Sequence, residues 1–412
     1  MHSLLPAKME YLLNIPALSA GKRMEVYEKM SMTPRERLLC VLHGGIPDRV
    51  PVSPFVQETY LSYFLHKTET DRLLDGKACA DALDFDLMAR INRYDTPAAM
   101  LHSAPNWAVT IRTEVENGVF KRYQTIVTPT RTLTQVEAAP YEPDKLGGTH
   151  FSTAKYLIED ADDFAAFRRY MPPMDAAYRE EFLAYSAFAK QAIGSRGVTV
   201  PWSISSVYNL VSRYINVQDM MVDALADPDY YDAYMQLFTQ LCVEHCDLFT
   251  KSDFDCMGIQ GNIANGALMG EQFFTNCVMP YEQRVLDVAK AADLPTVYHN
   301  CGRAKNLYPC YKKMGISVWE TVAMPRQGDN DLATAKAFFG DSLILCGTLD
   351  QVDFLKTATP EEVRRRTEET VSIGKPGGHY IFAASDYLET DTPKINVQAM
   401  IEAAKQAGRY AL

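Results

Sequence analysis

From about residue 154 to the C-terminus, stretches with helical spacing alternate with short apolar runs. The runs are "GVTVPWSIS", "FDCMGIQGN", "PTVYHNCG", "ISVWETV", "LILCGTLD" and "HYIFAASD"; between them lie stretches such as "GEQFFTNCVMPYEQRVLDVAKAA" and "TPEEVRRRTEETVSIG". Successive strands that are each followed by a helix must run parallel, because the chain has to cross back before the next strand starts. Adding "VPVSPF" and "LDFDLMA" brings the count to eight. Eight parallel strands with intervening helices predict an α/β fold, a closed (β/α)8 TIM barrel, with its functional groups at the C-terminal ends of the strands.

Two segments fall outside this alternation. Residues 1–30 read as an N-terminal helical extension ahead of a barrel spanning 31–412. "WAVTIRTEVENGVFKRYQTIVTPTRTLTQVE", about 106–138, alternates polar and apolar residues around Asn117-Gly118, the signature of a hairpin closed by a type I′ turn. It is expected to be a β insertion. Between the two, "MTPRERLLCVLHGG" is a marked helix: Thr33 caps it, Pro34 opens its first turn, Glu36 completes a capping box, and Gly44-Gly45 ends it.

The chain of 412 residues is 47% hydrophobic and 23% charged, an ordinary globular balance, and its net charge of −11 lacks the concentrated basic surface that nucleic acid requires. The nine cysteines are scattered and odd in number, which fits reduced thiols better than a disulfide framework. No apolar run is long enough to span a bilayer, and "LLPAKMEYLLNIPAL" is too interrupted for a signal-peptide core. A cytoplasmic protein is expected, with small-molecule rather than nucleic-acid or membrane partners.

The chemistry gathers at the predicted strand ends. In "PTVYHNCG", His299 and Cys301 stand two apart at the end of a strand, where side chains i and i+2 face the same side. An imidazole and a thiolate sharing one space suit a zinc ion, whose catalytic sites draw His, Cys and carboxylate ligands from several elements and leave one position open. "ISVWETV" ends near Glu320 and "HYIFAASDYL" near Asp386, so both carboxylates are candidate ligands. Cys346, inside "LILCGTLD", is an alternative ligand or a buried small hydrophobe. Cys242, His245 and Cys246 share a helix face, a pattern that fits a core face better than a second metal site. Gln57, Trp202, Gln260 and Asn262 also fall at strand ends and are candidate substrate-binding residues, while Tyr298 and Asn300 should turn into the barrel wall.

"MTPRERLLCVLHGGIPDRVPV", with "PTVYHNCG", "GTLD" and "TDTPKINVQAM", resembles the uroporphyrinogen decarboxylase superfamily, in particular its corrinoid-linked zinc methyltransferase branch. The resemblance covers most of residues 32–412 and implies a (β/α)8 barrel with a funnel at its top. True decarboxylases of the family carry an arginine-rich stretch after the first strand, where this chain has "SPFVQETYLSYF" without an arginine. The zinc methyltransferases carry H-x-C at the fifth strand, matched by His299 and Cys301. The related cobalamin-independent methionine synthases add a glutamate after the sixth strand, matched by Glu320, and a cysteine after the eighth, where this chain has Asp386.

A carboxylate donates less charge than a thiolate, so the exchange predicts a harder, more Lewis-acidic metal, suited to the oxygen of a methoxylated substrate. The resemblance thus implies methyl transfer by O-demethylation to the cobalt of a corrinoid. Since the chain has no D-x-H-x-x-G motif, the corrinoid would come on a separate protein docking at the barrel mouth, with the β insertion and the N-terminal extension as candidate docking surfaces. Three alternatives stay open: a decarboxylase like the family's namesake, transfer from a methylcorrinoid to a thiol, and a non-catalytic binding module.

Overall fold

A computed structural model of the chain describes residues 31–141, 151–204 and 206–411; the expected extension at 1–30 lies outside them. The strands, in chain order, are β1 (Leu87–Ala89), β2 (Ala108–Glu116), β3 (Val119–Val127), β4 (Thr132–Pro140), β5 (Ser152–Lys155), β6 (Gly197–Thr199), β7 (Trp202–Ser203), β8 (Met257–Gln260), β9 (Thr296–His299), β10 (Val318–Glu320), β11 (Ile344–Leu349) and β12 (Tyr380–Ala384). β7 to β12 form one six-stranded sheet in sequential order, every pairing parallel, and β1 pairs in parallel with β6. The fold is α/β, as the alternation predicts.

The regular ladders do not run round a full ring, and proline explains where they stop. The expected third strand is split into β6 and β7 by Pro201, which has no N–H to give. The expected first strand, "VPVSPF", contains Pro51 and Pro54 and forms no regular ladder. It is tied to its neighbours by a parallel bridge from Val52 to Phe382 and by three hydrogen bonds: Ser53 N to Phe382 O at 2.8 Å, Phe382 N to Pro51 O at 2.9 Å and Asp86 N to Val52 O at 2.8 Å. Single contacts also link the β1 exit to β7: Trp202 N donates to Ile91 O at 2.7 Å, and Tyr94 bridges to Ser203.

The helix Pro34–Leu42 forms as its sequence directs. Glu36 N donates to Thr33 Oγ1 at 3.2 Å and Thr33 N to Glu36 Oε2 at 2.9 Å, the two halves of a capping box. Its apolar face, Leu38, Val41 and Leu42, joins the inward residues Met88, Val198, Val297, Val318, Ile344 and Ile381 in a separate buried cluster. The helix therefore plugs one end of the strand array, and the site lies at the other. Thr33→Ala should cost about 1 kcal/mol, the usual worth of such a cap, read as a lower urea midpoint at unchanged slope.

The β insertion is present and larger than expected. β2 and β3 pair antiparallel from Ala108–Val127 to Glu116–Val119, with Asn117 at φ 51° and Gly118 at φ 76°, as a type I′ turn requires. β4 and β5 extend it, so the four-stranded antiparallel sheet runs from 108 to 155 rather than ending at 138. Among the described residues no helix is long and apolar enough to cross a membrane.

Candidate metal centre

β9 carries His299 at its last position, and the chain leaves the sheet at Asn300 and Cys301. The loop after β12 brings in Asp386. One donor atom from each of His299, Cys301 and Asp386 lies within 4.8 Å of the others. His299 Nε2 stands 3.8 Å from Asp386 Oδ1, too far for a hydrogen bond and close enough for two ligands of one ion. The other ring nitrogen, Nδ1, is buried with no hydrogen-bond partner. A buried ring nitrogen without a partner is costly, and binding an ion through it would offset that cost.

The electrostatics point the same way. Burial, and then the neighbouring Asp386, push the Cys301 thiol up to about 12. Burial also raises the Asp386 carboxyl above its ordinary range, against the pull of His299. Two acids that resist ionisation side by side form a site starved of positive charge, and a divalent cation would reverse both shifts. Imidazole, thiolate and carboxylate are together a donor set for zinc. The residues present therefore fit the ion.

The other expected residues are placed differently. Glu320 ends β10 in register with His299 on β9 and Cys346 on β11. It does not join the cluster: its Oε1 accepts from Arg90 Nη2 at 2.9 Å and its Oε2 from Arg90 Nε at 3.2 Å. Cys346 is fully buried within β11, outside the cluster, and burial raises its thiol far above the ordinary range, so it behaves as a small core residue. Cys242 donates to Ile204 O and Cys246 to Val285 O, which leaves the helix trio Cys242, His245 and Cys246 in the core. Tyr298 and Asn300 are fully buried in the wall, with Asn300 Nδ2 donating to the Tyr311 hydroxyl at 2.5 Å.

Of the candidate substrate residues, Trp202 packs against the metal cluster, its ring centroid 5.6 Å from that of His299, and Gln260 is the ladder partner of His299 on β8. Gly258 makes room for Trp202; a Cβ there would sit 2.7 Å from Trp202 Cε3. Gln260 lines a small cleft with Asp95, Ser203, Asn209 and Arg213. Asn262 Oδ1 is engaged by Asn209 Nδ2 at 2.9 Å, and Gln57 Oε1 by Arg72 Nη2 at 3.1 Å.

Three residues of the site escaped the sequence reading. Phe55 lies 6.1 Å from His299, 6.0 Å from Trp202 and 6.2 Å from Tyr387, centroid to centroid, so Phe55 and Trp202 both pack against the imidazole and Tyr387 packs on Phe55. The third is Arg90. Its one sequence signal is a charge directly after the apolar run of β1, in "LMARI".

Comparison with known proteins bears on this geometry. Methylcobamide:CoM methyltransferases MtbA of Methanosarcina mazei and Methanosarcina acetivorans are each 23% identical over 195 residues, 47% of this chain and 55% of theirs. A methylated-thiol–coenzyme M methyltransferase of Methanosarcina mazei is 22% identical over 203 residues, 49% of this chain and 52% of its own. The chain thus spans about half the length of these curated relatives. A solved structure described as a methyltransferase from Methanosarcina mazei superposes with a TM-score of 0.62 at 15% identity, over 91% of this chain and 99% of that one, which is a likeness of fold. The uroporphyrinogen decarboxylase (URO-D) sequence pattern matches residues 152–407, a stretch that begins in the β insertion and takes in every strand from β6 to β12. With more than half of its length matching that pattern, the chain belongs to the uroporphyrinogen decarboxylase family.

Proposed function

We propose that the chain is a zinc-containing methyltransferase that moves a methyl group between a small substrate and the cobalt of a separate corrinoid protein. We take its strands to form one (β/α)8 ring, in which the proline-bearing segment at 50–53 and the single contacts from β1 to β7 complete the circle. The observation that carries the reading is the meeting of His299, Cys301 and Asp386, from two separate strands, within 4.8 Å. The printed name of the two MtbA relatives, methylcobamide:CoM methyltransferase, supports the corrinoid; their limited coverage makes it a proposal for this chain.

Zinc held by His299, Cys301 and Asp386 would supply Lewis acidity to the group that gains negative charge as the methyl leaves. The remaining work belongs to the protein. Phe55, Trp202 and Tyr387 offer an apolar aromatic wall beside the donors. Such a wall excludes water, and each aromatic contact with an aryl ring is worth about 0.5–1.5 kcal/mol beyond its buried area. This wall, with Asp386 as the third donor, favours a methoxylated aromatic as methyl source and thus O-demethylation. The relatives' names favour a second reading, transfer from a methylcorrinoid to a thiol, because coenzyme M is their printed acceptor.

The test is elemental analysis of the purified protein, followed by methyl-transfer assays with methoxyaromatics and Co(I) corrinoid, and separately with methylcorrinoid and thiols. One zinc per chain and ether demethylation are expected. Thiol methylation with no ether turnover would replace the first direction by the second, and an absence of bound metal would sink both.

A further inference from the structure

The cleft lined by Gln260 has Ser203, Ser206 and Asn209 along its wall, and a carboxylate stands behind that wall. Glu282, on the helix Met279–Ala291, is buried; its Oε1 accepts from Ser206 Oγ at 3.0 Å and from Tyr208 N at 3.1 Å. The tie continues towards the metal cluster. From the short helix Val207–Val211, Asn209 accepts from Ile263 N through its Oδ1 at 2.8 Å and donates from Nδ2 to Asn262 Oδ1 at 2.9 Å. Asn262 and Ile263 lie just beyond Gln260, the last residue of β8 and the ladder partner of His299.

Among the described residues no cation pairs with Glu282. The titratable groups around it are Tyr208 on the short helix, Tyr231 and Cys242 on the helix Pro228–Thr250, and Tyr298 on β9. Burial pushes all four up, so none carries a charge at neutral pH. Burial likewise raises the Glu282 carboxyl to about 7, against the pull of the Ser206 hydroxyl and the Tyr208 and Val207 N–H groups. An apolar side chain would fill the space without that cost, but it would leave the three donors without their acceptor.

We infer that Glu282 is a positioning residue, which sets the turn Ser206–Asn209 and through it the end of β8 that stands next to His299. Its bearing on methyl transfer rests on the function proposed above. The tie itself does not, and its test needs no turnover.

A carboxyl raised by burial adds stability that is present below its unfolded value and is lost as pH rises to its folded one. Opening the turn to water returns Glu282 to about 4.3, the ordinary value of a glutamate. Opening should therefore become about tenfold easier per pH unit, and level off near pH 7. Hydrogen exchange between pH 5.5 and 8, corrected for the intrinsic rate, reads this at the amides of Tyr208 and Ile263, with the helix Pro360–Gly374 as control. In the wild-type chain, protection at both amides should fall about 30-fold from pH 5.5 to 7. In Glu282→Gln it should change less than about threefold, and the control helix should stay level in both proteins. A level wild-type profile overturns the inference, as does an equal fall in Glu282→Gln or in the control helix. So does a fall at Tyr208 with none at Ile263, since Glu282 would then cap its helix and position nothing beyond it. If Glu282→Gln does not fold, Ser206→Ala decides: it removes one donor to the carboxylate, so the levelling point should move to higher pH, and an unmoved profile overturns the inference. Absence of zinc would remove the methyltransferase reading and leave this profile as it is.

Discussion

His299→Ala is expected to strip the protein of stoichiometric zinc, lowering its affinity by more than about 100-fold, since loss of mere supporting contacts to metal ligands already costs about 10- to 100-fold. The imidazole is the least replaceable of the three donors. Burial raises both the Cys301 thiol and the Asp386 carboxyl, so each must give up its proton against that burial to bind an ion. The His299 ring is held by Trp202 and Phe55, at 5.6 and 6.1 Å between centroids. If Lewis acidity supplies about 4 kcal/mol to methyl transfer, activity should fall about 10³-fold with the metal. The fold should persist, because the substitution leaves the backbone ladders of β9 with β8 and β10 in place. Metal content by elemental analysis, next to a thermal melt, separates the two effects. Cys346→Ala is the control: its thiol lies outside the cluster and should leave zinc in place. Full zinc retention in His299→Ala would show that the ion, if any, sits elsewhere.

Much of this site was written in the sequence because strand geometry converts spacing into direction. The i and i+2 pair at 299 and 301 announces its shared side without any tertiary knowledge. Asp386 was legible for a coarser reason: it ends a strand at the face where barrel sites form. Glu320 shows the limit of that rule. Its strand-end position is as predicted, but where its carboxylate turns depends on Arg90, 230 residues away in the chain. No periodicity encodes a partner at that distance. The aromatic wall was half legible for the same reason: Trp202 falls in a strand-end run, whereas Phe55 and Tyr387 meet it only after the sheets are assembled. In the fold, the hairpin turn at Asn117-Gly118 was predictable because few other dipeptides tolerate two positive φ angles. The far edge of that sheet was not, since β5 joins β4 across an intervening segment with a register shift at Val136/Glu137.

The proline-bearing first segment raises a question of energetics, and Asp86 answers it. With Pro51 and Pro54 lacking N–H groups, "VPVSPF" cannot hold its place by a regular ladder. Asp86, just before β1 and fully buried, supplies the missing bonds from its side chain. Its Oδ2 accepts from Val52 N at 2.8 Å and from Arg49 Nη1 at 2.7 Å, while its Oδ1 accepts from Arg37 Nη1 at 2.6 Å and Arg49 Nη2 at 3.0 Å. One carboxylate thus ties together the plugging helix, the proline segment and the lead into β1. Arg37 has a second partner in Asp48, with Nε to Oδ1 at 2.6 Å; Arg49 also donates from Nη1 to the Val50 carbonyl at 3.0 Å. Asp86→Ala therefore leaves the largely buried Arg49 guanidinium without its carboxylate and the buried Val52 N–H without an acceptor. Breaking one side of a buried pair costs about 3–5 kcal/mol, a large part of the roughly 5–15 kcal/mol that holds a typical domain together. Asp86→Asn keeps an acceptor oxygen but not the charge, and should cost less, about 1–3 kcal/mol. Urea unfolding of the three proteins measures both steps. If Asp86→Ala lies within about 1 kcal/mol of wild type, the segment is held by its apolar contacts through Val50 and Val52, and the carboxylate is dispensable to it.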